Sequence, residues 1–288
     1  MIKCHRLHQF TFICLFILAF MSFNFICFGD AYEEFSKSEG FRTKEFAQSE
    51  YSKQGVCLTV CLCMRSFLLS VLNIEEDKTL SANKLYKIVL NVTHMNIMID
   101  LFTENKAKII DTHQQCQYYT SLVANDAERI PNFARAVNEK LSEAIEVISK
   151  CLKLNPANNV SKATVFIVED PHTEWESRRN QLQESFFNDN DTKQFYVFSF
   201  CKNMELDPSW IEDDTDEQVL MKFTGVAHST LLFIGRETVF VYDPNFGFFT
   251  FNNKNVSLYL DWIFEVYELN DAKNFAIFVH TLQEGSAE

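Results

Sequence analysis

The sequence is poor in basic residues. Lys and Arg together number 26 against 39 Asp and Glu, and the formal net charge is −13. No segment gathers lysines and arginines into a stripe able to neutralise nucleic-acid phosphates, which argues against a nucleic-acid-binding function. The sequence also has no internal repeat, no Walker-type phosphate loop and no Gly-x-Gly-x-x-Gly motif. It therefore offers no motif for phosphate or dinucleotide binding.

The cysteines form neither a zinc motif nor a disulfide framework. The cluster Cys57-x₃-Cys61-x-Cys63 lacks both a Cys-x₂-Cys pair and nearby histidines, so it fails as a zinc pattern. Six cysteines lie outside the first 29 residues, which makes up to three disulfides arithmetically possible, but their spacings are irregular. We predict neither a metal nor any other cofactor.

The amino-terminal residues predict an export signal. Lys3 and Arg6 precede an apolar run over 10–28, and no acidic residue occurs before Asp30. This pattern is typical of a signal peptide, which we assign to 1–29, and it predicts a secreted protein. The alternative is an uncleaved anchor, since the run of 19 residues is just long enough to span a bilayer, although Thr11, Ser22 and Asn24 interrupt it. With cleavage, no stable membrane span is expected in the mature chain.

The rest of the chain divides into an arm and one domain. The 29 phenylalanines indicate a sheet-rich core with large aromatic contacts. Residues 30–53 are polar with interspersed aromatics and are expected to form an amino-terminal arm or linker before a domain over 54–288. Within that domain, 81–154 shows helical stripes and is expected to be a helical insertion. Its first helix is predicted to begin after a Ser81 cap, with one apolar stripe continuing to Phe102.

A hairpin near the carboxyl end carries the first two candidate functional residues. Two runs of mostly apolar, β-prone residues flank a turn at 235–237. His228 lies near the start of the first run and Asp243 at the end of the second, so antiparallel pairing makes them neighbours. A carboxylate beside an imidazole fixes its tautomer and stabilises the imidazolium, as a general base requires. The alternative is an unrelated core histidine and a turn-capping aspartate.

A third candidate lies far upstream, where Gln54-Gly55-Val56-Cys57 precedes an apolar, helix-forming run that ends near Asn73. A thiol in the first turn of a helix lies at the positive end of the macrodipole and near unpaired N–H groups. Both effects lower the pKa of a thiol and favour thiolate. Cys, His and Asp in this chain order match the order in papain-like thiol hydrolases.

These motifs resemble those of the YopT-type bacterial effector cysteine peptidases, over roughly 50–75 and 220–282. The matching features are Gly-Val-Cys at a helix start, Ala-His-Ser on a strand, and a strand that ends in Asp-Pro-Asn-x-Gly. The resemblance implies a cysteine endopeptidase with Cys57 as nucleophile, His228 as base and Asp243 as the residue that orients the base. It makes Gln54 the candidate for the oxyanion hole.

The resemblance also implies an α+β papain-like fold. A helical lobe would carry the cysteine, and an antiparallel sheet would carry the histidine and aspartate. The insertion over 81–154 would then account for the 171 residues between Cys57 and His228. The implied substrate is a protein, which in this family is a host signalling protein. The chain itself would be a virulence effector.

Several alternatives stay open at the level of sequence. The same three residues serve acyl transfer or deamidation, and a papain-like domain with weak or no catalysis would be a binding module for a protein partner. The acidic stretch 205–217 is either a solvated loop or a rim that attracts basic peptide. His172, beside Pro171 in a predicted turn, is a weaker rival for the base. The sequence gives no indication of oligomeric state.

Overall fold

The structure is a computed structural model that describes residues 30–46, 56–72, 80–111, 160–187, 194–206, 221–223 and 227–282. The predicted signal peptide, Gln54, residues 112–154 of the predicted insertion and most of the acidic stretch lie outside the described residues.

Along the described chain, three consecutive helices follow the first strand, and a run of six consecutive strands precedes the last α-helix and the last strand. The helices are α1 (Asp30–Ser36), α2 (Cys57–Leu72), α3 (Ala82–Leu90), α4 (Val92–Glu104), α5 (Pro171–Phe187) and α6 (Val256–Val266). The strands are β1 (Arg42–Lys44), β2 (Val160–Val168), β3 (Gln194–Lys202), β4 (Met204–Leu206), β5 (Met221–Phe223), β6 (Ala227–Ile234), β7 (Thr238–Asp243), β8 (Gly247–Asn252) and β9 (Phe275–Leu282). Among the described residues, no helix is long and apolar enough to span a membrane.

Seven strands form one antiparallel sheet in the order β1-β8-β7-β6-β3-β9-β2, and β4 pairs with β5 in a separate ribbon. The chain is thus a mixed α and β protein with an antiparallel sheet, as the sequence predicts at this coarse level. The central position of β6, next to β7 and β3, places the predicted histidine strand in the middle of the sheet.

Both faces of the sheet are buried, and successive side chains of a strand enter two different apolar cores. In β3, Phe195 and Val197 belong to the core that also contains helices α2, α3 and α4. Tyr196, Phe198 and Phe200 point the other way, into the core shared with α1, α5 and α6. Successive side chains of a strand point to opposite faces, so a strand covered on both sides is apolar throughout.

Among the described helices, α2 has the longest continuous run of buried residues. Every residue from Cys57 to Leu68 is buried, as expected for a helix that is apolar on all sides. It packs against β3, β6 and β7, so its first residue, Cys57, is held against the sheet that carries His228.

Residues 30–46 of the amino-terminal segment pack against the rest of the described chain through α1 and β1. Phe35 of α1 has no exposed surface, and its ring lies 5.5 Å from that of Trp262 and 4.9 Å from that of Phe251. Strand β1 pairs with β8 and completes one edge of the sheet.

The single helix predicted from Ser81 to Phe102 is wrong, because the chain forms two helices there. The Ser81 cap is confirmed: its Oγ accepts a hydrogen bond from the Lys84 N–H at 3.4 Å. Asn91 then leaves the helical conformation, and its Oδ1 accepts from the N–H groups of Thr93 and His94 at 2.9 and 3.3 Å. Asparagine is a favourable N-cap residue, so it starts a second helix without breaking the apolar stripe.

His280 lies inside strand β9, two residues before the strand ends at Leu282. It is opposite Val197 of β3, and its imidazole is buried. Burial lowers the pKa of His280 to about 4, from an ordinary value of 6.5. The ring is therefore neutral at physiological pH.

We expect His280 to contribute to acid unfolding. Its pKa is lower in the folded than in the unfolded chain, so the unfolded state gains protons first as pH falls. The free energy of unfolding should drop between pH 6.5 and about 4, by up to about 3 kcal/mol for a shift of this size. Urea unfolding of wild type and His280→Leu across this range tests it: the variant should have the flatter profile, and equal slopes would contradict the assignment.

Candidate active site

The predicted hairpin is present, and its register brings His228 and Asp243 together. Strands β6 and β7 pair from Ile234↔Val239 to Leu231↔Tyr242. One step further along this register, Thr230 would be opposite Asp243. His228 lies two residues before Thr230, on the same face, which makes it a diagonal neighbour of the carboxylate. His228 Nε2 lies 3.0 Å from Asp243 Oδ1, and both side chains are buried.

The turn after β7 holds the Asp243 carboxylate in place. The Phe246 N–H donates to the Asp243 carbonyl at 3.1 Å, which closes a four-residue turn with proline at its second position. The Asn245 N–H donates to Asp243 Oδ1 at 2.8 Å, as aspartate does at the first position of many turns. The carboxylate is thereby fixed by its own loop as well as by the histidine.

Gly247 ends this turn at a position that other residues do not fit. Its φ of +106° lies in the region that favours glycine, and an added Cβ would lie 2.3 Å from the Lys44 carbonyl oxygen. The glycine therefore allows β1 to pass close to the loop that carries Asp243.

Cys57 is the first residue of α2, and its thiol shares a hydrogen bond with the His228 imidazole. Since Nε2 of His228 contacts Asp243, Nδ1 is the ring nitrogen left for the thiol. One turn further along the helix, Cys61 Sγ donates to the Ser229 carbonyl at 3.4 Å. The first turn of α2 is therefore tied to β6 beside the histidine.

The electrostatics favour a thiolate–imidazolium pair. Burial of Cys57 opposes ionisation, but hydrogen bonding and charge from His228, with backbone hydrogen bonds from Ser229 and Leu58, outweigh it and lower the pKa of the thiol. Burial likewise opposes protonation of His228, yet the charge and hydrogen bond of Asp243, together with Cys57, raise the pKa of the imidazole to about 10. Between the two pKa values the site holds both charges.

The neighbouring thiols behave in the opposite way. Burial, then the charges of Cys57 and Asp243, raise the pKa of Cys61 well above its ordinary range. Burial and the charge of Cys57 raise the pKa of Cys201 to about 12. Of the buried cysteines with shifted pKa values in the described chain, Cys57 alone is shifted toward thiolate.

Sequence reasoning missed Tyr267, which follows α6. Its hydroxyl lies 3.0 Å from each oxygen of Asp243, and its ring stacks on His228 with 4.5 Å between centroids and 26° between planes. The available signal was a tyrosine close to the apolar stripe of α6, because a buried tyrosine hydroxyl normally finds a partner.

The remaining candidates are placed as follows. His172, the rival base, is exposed at the start of α5, where its N–H donates to Asp170. Gln54, the oxyanion candidate, lies outside the described residues, so its position stays a prediction. Over the described ranges, no group of three His, Cys, Asp or Glu side chains is arranged to hold a metal ion.

Comparison with known proteins gives one structural similarity. No protein-family model matches the sequence, and no curated protein matches it. Among solved structures, the chain is similar to the Pseudomonas avirulence protein AvrPphB, with a TM-score of 0.40 and 10% sequence identity. The alignment covers 82% of this chain and 100% of AvrPphB.

Proposed function

We propose that this protein is a cysteine peptidase of papain-like fold that cleaves a peptide bond of a protein substrate with Cys57, His228 and Asp243. One observation carries the proposal: a thiol at the first residue of a buried helix meets an imidazole whose other nitrogen is 3.0 Å from a buried carboxylate. Nucleophile, base and orienting group in mutual contact are the arrangement that nucleophilic acyl chemistry requires.

In the first half of the reaction, the Cys57 thiolate attacks the carbonyl carbon of the substrate peptide bond. The Cys57 backbone N–H, at the start of the helix, supports the oxyanion, and Gln54 is proposed as its second donor. The protonated His228 gives its proton to the leaving amine. The carbon–nitrogen bond breaks and leaves a thioester on Cys57.

In the second half, neutral His228 takes a proton from a water molecule, whose oxygen attacks the thioester carbon. The carbon–sulfur bond breaks, the acid product leaves, and Cys57 returns to thiolate beside the imidazolium. Asp243 keeps the imidazole in one tautomer and orientation throughout. No cofactor takes part in this proposal.

A binding module is the second candidate, and one observation favours it. Cys57 is 7% exposed, His228 3% and Asp243 fully buried, so a substrate carbonyl has little access to the site in this conformation. A closed site of this kind suits a papain-like domain that engages a protein partner without cleaving it.

The proposal extends to where and on what the protein acts. The signal-peptide pattern in 1–29 supports export, and the net charge of −13 supports a protein rather than a nucleic acid as partner. As an exported peptidase of this type, the protein would act as an effector on a host protein.

The first test is which cysteine reacts. Wild-type protein exposed briefly to iodoacetamide at pH 7 should be labelled at Cys57 well before Cys61 and Cys201, because thiolate is the reactive species. Peptide mapping by mass spectrometry reads the three sites in one sample, with the two slower thiols as internal controls. A Cys57 labelled no faster than Cys61 would remove the chemical basis of the proposal.

The second test separates peptidase from module and deamidase. A proteome-derived peptide library incubated with wild-type protein should acquire new amino termini that are absent with Cys57→Ser. A reactive Cys57 without new termini, but with mass increases at glutamine or asparagine, would assign deamidation instead. If neither new termini nor mass increases appear, the binding module is the remaining candidate.

A further inference from the structure

We propose that Tyr267 is a positioning residue of this site, which locks the Asp243 carboxylate and the His228 ring into the geometry that sustains the reactive Cys57 thiolate. The inference rests on the proposed function and adds a fourth side chain that neither the sequence motifs nor the three-residue arrangement assigns.

The hydroxyl of Tyr267 is directed at the carboxylate. It lies 3.0 Å from Asp243 Oδ1 and 3.0 Å from Oδ2, and in the described chain it is the donor that reaches both oxygens. Asn245 Nδ2 donates to the same hydroxyl at 3.1 Å. Because the tyrosine oxygen accepts from the amide, its single proton is left to point at Asp243.

This hydroxyl keeps its proton over the working pH range. Burial, followed by the charge of Asp243, raises the pKa of Tyr267 well above its ordinary value of 10.0. A hydrogen bond to a charged acceptor is shorter and stronger than a neutral one. Tyr267 is therefore a permanent donor to the orienting carboxylate.

The ring of Tyr267 restrains the imidazole. It stacks on His228 with a centroid separation of 4.5 Å, while Phe200 packs against both rings, 4.8 Å from Tyr267 and 5.7 Å from His228. The imidazole is thus covered by aromatic rings while its Nε2 is fixed by Asp243. Rotation of the ring about its Cβ–Cγ bond would break the carboxylate contact and would have to turn the imidazole out of the stacking plane on the way.

The backbone holds Tyr267 where both contacts are made. It is the last residue of the α6 turn, closed by hydrogen bonds from the Glu268 N–H to the Glu265 carbonyl and from the Leu269 N–H to the Phe264 carbonyl, each 2.9 Å. These two bonds define a Schellman motif, and Glu268 adopts the left-handed conformation that the motif requires, at φ +52°. A backbone fixed by a motif of this kind gives the side chain little freedom to move.

The decisive experiment measures the pH dependence of Cys57 alkylation, which needs no substrate. Removal of the Tyr267 hydroxyl breaks a hydrogen bond to the carboxylate and leaves the imidazole less firmly positioned. The Cys57 thiolate is then less well stabilised, so the pKa of the thiol should increase. In Tyr267→Phe, the acid limb of the plot of alkylation rate against pH should move to higher pH, by about half to one pH unit. Tyr267→Leu, which also removes the stack, should move it further.

Tyr259→Phe is the matched control. Tyr259 is buried on α6, and its hydroxyl donates to Thr230 Oγ1 at 3.1 Å rather than to Asp243. Both phenylalanine variants lose one buried hydroxyl and so both should lose some thermal stability, but the control should keep the wild-type limb. If Tyr267→Phe does not fold, Asn245→Ala withdraws the bond that orients the hydroxyl and should shift the limb in the same direction.

The outcomes are distinguishable. A wild-type Cys57 with the pH profile of an ordinary thiol would overturn the proposed function and this inference together. Suppose instead that wild-type Cys57 has the lowered acid limb that we expect. If Tyr267→Phe leaves that limb unchanged, or if Tyr259→Phe moves it equally, the positioning role alone is overturned. A shift confined to the Tyr267 and Asn245 variants supports it.

Discussion

Replacement of His228 by alanine is expected to slow alkylation of Cys57 at pH 7 by about 30-fold or more. The thiol is buried, and burial by itself raises its pKa; His228 is the largest of the influences that reverse this effect. Without the imidazole, Cys57 should resemble Cys201, whose buried thiol has a pKa of about 12. Even a thiol at the ordinary pKa of 9.0 has about a thousandfold more thiolate at pH 7 than one at about 12. The greater nucleophilicity of a more basic thiolate restores only about half of this on a logarithmic scale.

His280→Ala is the control for this measurement. His280 is a second buried histidine of the same sheet, and it is neutral at pH 7 because its pKa is about 4. The truncation opens a comparable space but leaves Cys57 its partner, so the alkylation rate should stay close to that of wild type. An equal loss of rate in both variants would mean that core disruption, rather than the imidazole, controls the thiol.

Truncation of Phe35 to alanine is expected to destabilise the domain by about 3–5 kcal/mol, the usual cost of removing a buried phenylalanine ring. The ring has no exposed surface and packs on Trp262, Phe251, Phe41 and Tyr259. Few arrangements let an aromatic cluster of this kind close around the space left behind. Urea unfolding followed by circular dichroism measures the difference.

Glu34→Ala is the control in the same helix, since Glu34 is exposed and surface substitutions of this kind change stability by about 0.5 kcal/mol or less. The pair also tests the domain boundary. If Phe35→Ala were as mild as Glu34→Ala, the amino-terminal segment would be an accessory arm rather than part of the core.

The hairpin and the nucleophile helix could be predicted from the sequence because their signals are local. Apolar runs around a glycine turn specify two paired strands, and the positions of His228 and Asp243 within those runs make them neighbours. The helix that begins at Cys57 follows from a continuous apolar run of helix-forming residues. The contact between Cys57 and His228 joins segments that are far apart in the sequence, and only the resemblance to a peptidase family predicted it.

The missed features depend on contacts between distant segments. Tyr267 reaches Asp243 from 24 residues away, and its position beside the apolar stripe of α6 indicates a buried tyrosine that needs a partner but does not identify Asp243 as that partner. Phe35 lies in a polar stretch, so its own context predicts exposure, and its burial depends on a cluster assembled from β8 and α6. At Asn91 the apolar stripe continues across the helix break, so the periodicity did not reveal the cap.

The three-residue strand β1 forms one edge of the sheet and covers β8. It covers one side of β8 through pairs that run from Arg42↔Thr250 to Lys44↔Phe248. Release of this short segment would leave the N–H and C=O groups of β8 without their strand partner and turn an aromatic strand into an open edge, a template on which another chain can add. Strand β1 thus protects β8 from pairing with another chain, and we expect its release to appear as concentration-dependent oligomers.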